Sequence, residues 1–217
     1  MSTERFPVMP GAEAWSASGH GERAQVSLLL VHGFTGNPCS MKPLGEALAS
    51  RGFGVEVIRL PGHGTDWRDM RSTRYADWRA HAEKALLTLA GSGARVVLVG
   101  LSMGATLALD LGSAHSDRVA GIVSINAAVL NREGVAAKLG PLLAKILPVV
   151  PAQAAGIAKN DIAKPGQVEN AYPWVPLAAG NSLLDELPRR ERSELRVEHI
   201  DSFLIRGPKR LLLRLAA

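Results

Sequence analysis

The sequence predicts an α/β domain with a mostly parallel sheet and helices on both faces of that sheet. Short apolar runs that end at turn residues alternate, along residues 26–125, with segments whose apolar residues recur at helical spacing. Strands that alternate with helices pair in parallel, and continuous apolar runs are typical of parallel strands buried on both faces. The chain has 217 residues and is 47% apolar, which is enough for one domain with a sizeable core.

The alternation comprises four predicted strands and three predicted helices. The strands are rich in Val, Leu and Ile, and they are predicted at 26–31, 54–60, 95–99 and 119–125. The helices are predicted at 41–51, 75–90 and 105–114, and Gly52 ends the first of them. Residues 1–25 carry several Pro and Gly residues, which favours an extended segment with a short strand or hairpin.

After residue 126 the alternation stops. An apolar helix is predicted at 135–147, followed by a loop-rich stretch at 160–176 and one more strand at 200–205. Insertions that follow a strand end often form lids over active sites, so residues 127–198 are interpreted as a small cap. The core then comprises residues 1–126 and 199–217. The alternative is a surface excursion that packs on the core without a functional role.

The charge distribution does not favour a nucleic-acid partner. The formal net charge is +5, and the pI is about 9.7. From Pro188 onward there are eight Lys or Arg against four Asp or Glu, so the rest of the chain is nearly neutral. A basic tail without repeated aromatic residues lacks the stacking surface that single-stranded nucleic acids require.

The sequence also predicts a cytoplasmic protein without stable membrane insertion. Cys39 is the single cysteine, which rules out an internal disulfide. The first 21 residues lack the apolar segment of a signal peptide, and no run of about 18 apolar residues is present to span a membrane. The oligomeric state is not indicated.

The pentapeptide Gly-Leu-Ser-Met-Gly at 100–104 is the strongest functional motif. It follows an apolar strand directly and opens onto a helix, as a Gly-x-Ser-x-Gly elbow requires. In such an elbow the serine projects from a tight turn, and the glycines let the strand and helix approach each other. The helix amides point toward the centre where negative charge develops. Ser102 is therefore the candidate nucleophile.

The second motif, His-Gly-Phe-Thr-Gly at 32–36, follows the first buried strand. In this architecture that loop lies beside the elbow and supplies one oxyanion-binding N–H, and the residue after the nucleophile supplies the other. Phe34 and Met103 occupy those two positions. His32 is either a general base or, as we favour, a residue that holds this loop by side-chain hydrogen bonds. His63, at another strand end, is interpreted as structural.

Four motifs in register resemble the α/β-hydrolase superfamily, and within it the small bacterial carboxylesterases related to monoacylglycerol lipases. They are Leu-Leu-Val-His-Gly-Phe-Thr-Gly-Asn-Pro at 29–38, Arg-Leu-Pro-Gly-His-Gly-Thr at 59–65, Asp-Trp at 77–78 and the pentapeptide at 100–104. The resemblance covers residues 10–187. It implies carboxylic-ester hydrolysis through an acyl-enzyme, a small cap over the acyl pocket, and no metal or organic cofactor. It also implies that Ser102 is the nucleophile and that Phe34 and Met103 contact the substrate. Phe34 and the apolar helix predicted at 135–147 favour ester substrates with an apolar acyl group.

The sequence departs from this superfamily after the cap. The family order is Ser, then Asp or Glu, then His, but no acidic residue follows Asp201 and no His follows His199. The expectation is a C-terminally truncated or frame-shifted chain that lacks the last strand and helix. None of His81, His115 and His199 is expected near the nucleophile, so no base or acid is assigned.

Two other functions stay open. The chain could be a catalytically impaired or non-catalytic hydrolase-fold protein that binds an apolar ligand or a partner. The same elbow also serves enzymes that cleave thioesters, amides or C–C bonds.

Overall fold

The computed structural model describes residues 6–128, 144, 146–155 and 170–186. In chain order the elements are β1 (Trp15–Ala17), β2 (Val26–Val31), α1 (Lys42–Ala49), β3 (Gly54–Val57), α2 (Trp67–Met70), α3 (Tyr75–Gly91), β4 (Arg95–Leu101), α4 (Met103–Ala114), β5 (Val119–Ile125), β6 (Val149–Pro151), β7 (Trp174–Pro176) and α5 (Leu177–Leu184). Short 3-10 turns lie at Gly21–Arg23 and Pro38–Ser40.

The main sheet has the strand order β1-β3-β2-β4-β5. The pairs β2–β3, β2–β4 and β4–β5 are parallel, whereas β1 pairs antiparallel with β3 at the edge. The predicted α/β fold with a mostly parallel sheet is therefore confirmed, as is a short strand in the N-terminal segment. The register places Val31 opposite Gly100 and Leu101 opposite Ile125. The carboxyl ends of β2, β4 and β5 consequently meet at one side of the sheet.

Helices cover both faces of the sheet, as predicted. One core cluster joins Leu29 and Leu98 of the sheet to α3 and α4. The other joins Leu28 and Leu30 to α1. Because successive strand side chains point to opposite faces, a strand buried on both faces must be apolar at every position. This requirement explains the continuous apolar run at residues 28–31 of β2.

Several predicted boundaries differ from the observed ones by one to three residues. The second predicted strand was to reach residue 60, but β3 ends at Val57. Ile58 and Leu60 are both buried. Directly after β3, the Ile58 amide donates to the Leu30 carbonyl of β2 at 3.3 Å, but the strand does not continue. Their apolar character therefore reflects core packing rather than ladder pairing. The fourth helix begins at Met103, two residues earlier than predicted, because Ser102 already acts as its N-cap.

The described part of the predicted cap contains regular structure that the sequence pattern did not indicate. Strands β6 and β7 pair antiparallel, and α5 follows β7 directly. β7 lies inside the stretch predicted as loop-rich. Most of the predicted 135–147 helix lies outside the described residues, although Ala144 and Ile146 are helical. The predicted strand at 200–205 lies outside them entirely.

Candidate functional site

Ser102 occupies a strained turn between a strand and a helix. β4 ends at Leu101 and α4 begins at Met103, so Ser102 alone makes the connection. Its backbone angles are φ 54° and ψ −117°, which L-residues rarely adopt because Cβ is crowded. The Ser102 amide donates to the Ile125 carbonyl at 2.9 Å, and the Ser102 carbonyl accepts from the amides of Ala105 and Thr106. Strain of this kind persists only where surrounding contacts hold it, and it clusters at functional sites.

The two glycines of the pentapeptide are required by the close approach of strand and helix. A Cβ on Gly104 would collide with the carbonyl of Val31 and would lie 2.6 Å from the carbonyl oxygen of His32. A Cβ on Gly100 would collide with the backbone of Gly104 and Ala105. All of these obstacles are backbone atoms, which cannot rotate away. The Gly-x-Ser-x-Gly spacing therefore has a steric cause in this chain.

The His32–Gly36 loop lies directly against the serine. A Cβ on Gly33 would lie 3.3 Å from the Ser102 Cβ and 3.9 Å from the Ser102 hydroxyl oxygen. The Gly36 amide donates to the Gly33 carbonyl at 3.2 Å, which closes the loop as a tight turn around Phe34 and Thr35. The structure thus brings the His32–Gly36 loop and the serine elbow together, although Gly36 and Ser102 are 66 positions apart in the sequence.

Two backbone amides at this junction have no acceptor among the described residues. The Phe34 amide follows Gly33 in the loop, and the Met103 amide is the first of α4. Helix N-terminal amides are orphan donors that carry partial positive charge. Ser102 itself is partly exposed. The junction therefore offers a hydroxyl with hydrogen-bond donors on both flanking segments.

The ring of His32 is fully engaged in holding this loop. Its Nδ1 donates to the Gly33 carbonyl at 2.9 Å, and its Nε2 accepts from the Leu60 amide at 3.2 Å. Complete burial is the main reason that its pKa falls from 6.5 to about 4. Since both ring nitrogens are occupied and the ring is neutral, His32 does not act as a general base. Its predicted loop-holding role is confirmed by these contacts.

His63 is a second buried, neutral histidine beneath the loop. Its Nδ1 donates to the Pro61 carbonyl at 3.0 Å, and its Nε2 has no hydrogen-bond partner among the described residues. The ring packs at centroid distances of 5.0 Å from His32, 5.3 Å from Trp78 and 6.3 Å from Phe34. Burial lowers its pKa well below the ordinary value. These contacts agree with the structural interpretation of His63.

No described side chain hydrogen-bonds to the Ser102 hydroxyl. His115 caps the far end of α4, which by helix geometry lies roughly 20 Å from the serine, and its Nε2 contacts Glu83 at 2.6 Å. His81 is exposed on α3, and His199 lies outside the described residues. Within the described part of the chain, the serine therefore has no base and no orienting acid.

Tyr172 belongs to the site but was not predicted. Its amide donates to the Thr35 carbonyl at 3.0 Å, and its hydroxyl lies 2.9 Å from the Thr65 amide and 3.0 Å from the Gly62 carbonyl. The contact with Thr65 spans 107 positions of sequence. No local pattern encodes such a contact, although a tyrosine among Asn and Pro residues in a chain with two tyrosines is a weak signal.

The described residues contain no group of three or more His, Cys, Asp or Glu side chains arranged to hold a metal ion. None of the helices in these residues has the length and apolar character needed to span a membrane.

Comparison with known proteins identifies a family and several relatives. The model of the alpha/beta hydrolase family matches residues 28–212. A thermostable monoacylglycerol lipase of Bacillus sp. (strain H-257) is 47% identical over 127 residues, which cover 58% of this chain and 49% of that protein. A carboxylesterase of Bacillus subtilis (strain 168) is 32% identical over 87 residues, which cover 40% of this chain and 35% of that protein. The chain thus spans half the length of these curated relatives or less.

Solved structures give the same result for the fold. A chain in the structure of the metagenome-derived lipolytic enzymes LipS and LipT superposes with a TM-score of 0.72 at 32% identity, covering 82% of this chain and 69% of that chain. The crystal structure of a monoacylglycerol lipase from Paleococcus ferrophilus superposes with a TM-score of 0.62 at 20% identity, covering 85% of this chain and 74% of that one. The second likeness concerns the fold alone.

Proposed function

This chain belongs to the alpha/beta hydrolase family, and from that premise we propose that it hydrolyses carboxylic esters with Ser102 as the nucleophile. One observation carries the proposal: a serine in a strained strand-to-helix turn lies against a loop whose Phe34 amide, like the Met103 amide, lacks a described acceptor. The names of the relatives, monoacylglycerol lipase and carboxylesterase, agree with this chemistry.

In the proposed reaction the Ser102 hydroxyl attacks the ester carbonyl, and the carbonyl oxygen becomes an oxyanion. The amides of Phe34 and Met103 donate hydrogen bonds to that oxygen, and the N-terminus of α4 adds its dipole. Each oxyanion donor typically stabilises the transition state by about 3 kcal/mol. The alcohol then leaves, and water cleaves the acyl-enzyme to release the acid. No described residue accepts the serine proton, so the proposal covers the nucleophile and the oxyanion donors only.

The proposed substrates carry a small to medium apolar acyl group. Phe34 is partly buried against the core, and its ring packs 5.7 Å from Trp78 between centroids. The ring edge also lies 3.8 Å from the Cβ position of Gly180 in α5. An aromatic side chain between the loop and α5 favours an apolar acyl pocket. We assign α5, β6 and β7 to the proposed cap of residues 127–198.

A panel of p-nitrophenyl esters with increasing acyl length tests the proposal. We expect Ser102→Ala to lose essentially all turnover, since the attacking oxygen is gone. Ser50→Ala, a matched change at an exposed serine after α1, should keep the wild-type rate. Wild-type turnover in the Ser102→Ala variant would overturn the proposal. Thioester and amide substrates in the same panel separate the related chemistries that share the elbow.

A second candidate function is ligand binding without catalysis. The observation that favours it is that no described side chain hydrogen-bonds to the Ser102 hydroxyl. A serine without a base keeps only slow chemistry. Turnover no higher than that of Ser102→Ala, combined with saturable binding of a fatty acid, would favour this candidate over the esterase.

A cytoplasmic location, the absence of a cofactor and the absence of a nucleic-acid partner stay predictions from the sequence.

A further inference from the structure

Tyr172 ties the proposed cap to two loops of the core. Its side chain is buried, and its hydroxyl lies at the Gly62–Thr65 loop. There the hydroxyl donates to the Gly62 carbonyl at 3.0 Å and accepts from the Thr65 amide at 2.9 Å. Its own amide donates to the Thr35 carbonyl at 3.0 Å. One residue therefore fixes three segments relative to one another.

The contact with Thr35 falls on a strained position. Thr35 has φ 62°, a left-handed conformation that costs a β-branched residue roughly 1–2 kcal/mol. Its hydroxyl is buried and has no hydrogen-bond partner in the described part of the chain. Such a conformation persists only when surrounding contacts determine it. The hydrogen bond from Tyr172 to the Thr35 carbonyl is one of these contacts, because it orients the peptide that follows Thr35.

The same turn orients the Phe34 amide. Phe34 and Thr35 are the central residues of the turn that the Gly36 amide closes onto the Gly33 carbonyl. If the Thr35 conformation relaxes, the peptide planes on either side of Phe34 rotate with it. An oxyanion donor must lie within about 3 Å of the developing charge, so a small rotation weakens its effect.

The phenol adds a second constraint. The Gly62–Thr65 loop carries His63, whose ring packs against both His32 and Phe34. By fixing this loop, the hydroxyl of Tyr172 also fixes the surface on which the Phe34 ring rests. Removal of the hydroxyl would leave the Thr65 amide and the Gly62 carbonyl without this partner, and unpaired buried groups typically drive local rearrangement.

We propose that Tyr172 is a positioning residue, which holds the Gly33–Gly36 turn so that the Phe34 amide points at the oxyanion. This inference rests on the proposed esterase function. It assigns to the cap a role in arranging the catalytic donors, beyond covering the acyl pocket.

The test compares Tyr172→Phe with Tyr75→Phe, a matched change at the other tyrosine. Tyr75 is also buried, and its hydroxyl lies 3.4 Å from the carboxylate of Asp110 in α4. We expect Tyr172→Phe to lower kcat about tenfold. The affinity for an alkyl trifluoromethyl ketone, an inhibitor that forms a tetrahedral adduct with the serine, should fall by a similar factor. KM and the affinity for the product acid should change less than twofold. Tyr75→Phe should leave all four quantities within twofold.

Amide hydrogen exchange gives a second measurement that does not need turnover. We expect the Gly36 and Tyr172 amides to exchange at least about tenfold faster in Tyr172→Phe and at the wild-type rate in Tyr75→Phe. If Tyr172→Phe does not fold, Thr65→Val is the milder variant, because it removes only the 3.3 Å contact between the Thr65 and Tyr172 hydroxyls. It should change exchange and kcat in the same direction, by twofold to threefold.

The outcomes separate the inference from the function on which it rests. Unchanged Gly36 exchange in Tyr172→Phe overturns the inference, whether or not the chain hydrolyses esters. Unchanged kcat and ketone affinity overturn it also, provided that Ser102→Ala is inactive. Undiminished turnover in Ser102→Ala overturns the proposed function instead.

Discussion

The free energy of unfolding should decrease as the pH is lowered, because two neutral histidines are buried beneath the site. The pKa of His32 drops from 6.5 in the unfolded chain to about 4 in the folded protein, chiefly through burial. Between these values the unfolded state binds more protons, so its free energy falls relative to that of the folded state as pH decreases. The stabilisation is complete above pH 6.5 and is lost progressively toward pH 4. Between pH 7.5 and 5, these pKa values give a loss of about 2 kcal/mol from His32.

Urea unfolding at pH 7.5 and pH 5 measures this loss in the wild type and in His32→Gln. Gln cannot titrate, so His32→Gln should be less stable at pH 7.5 but should lose about 2 kcal/mol less on acidification. The pKa of His63 is also lowered, so the free energy of unfolding of His32→Gln should still depend on pH, but less steeply than in the wild type. His20→Gln, which removes an exposed histidine, should keep the wild-type slope. An equal pH dependence in the wild type and His32→Gln would refute this account of the buried ring.

Three further predictions concern the elbow, a helix cap and metals. Gly104→Ala should lower the free energy of unfolding by at least about 2 kcal/mol, because the new Cβ meets backbone atoms; Gly91→Ala, which meets nothing within 4 Å, should be neutral or slightly stabilising in the same urea titration. Asp66→Ala should lower the free energy of unfolding by about 1 kcal/mol, since the Asp66 carboxylate accepts from the Arg68 amide at 2.8 Å and caps the N-terminus of α2. An unchanged unfolding midpoint in urea would contradict this stabilising role of the Asp66 side chain. Dialysis against EDTA should leave ester turnover unchanged, and a rate that is lost and then restored by a divalent ion would contradict a metal-independent reaction.

The core of the fold could be predicted because its signals are local. A strand buried on both faces must be apolar over its buried length, and β2 is accordingly apolar over residues 28–31 and β4 over residues 96–99. The Ser102 elbow could also be predicted, since α4 packs so closely on the ends of β4 and β2 that no Cβ fits at Gly100 or Gly104. Each of these constraints leaves a short continuous pattern in the sequence.

The contacts of the proposed cap could not be predicted because they are not local. The hydrogen bond from the Tyr172 amide to the Thr35 carbonyl joins residues that are 137 positions apart in the sequence. β7 was not predicted as a strand, because Pro173 and Pro176 indicate a turn or loop in a sequence pattern. In the structure, Pro176 ends a short edge strand whose partner is β6, a position where proline is tolerated. Tertiary pairing decided the conformation of this segment.

Active-site labelling tests the central claim most directly. The chain is treated with an alkyl fluorophosphonate, and the adduct is located by peptide mass spectrometry in the wild type, Ser102→Ala and Ser50→Ala. We predict one adduct, on Ser102, in the wild type and in Ser50→Ala, and none in Ser102→Ala. Labelling of a different residue, or ester turnover that persists when Ser102 is replaced, would contradict the claim that this strained serine is the nucleophile.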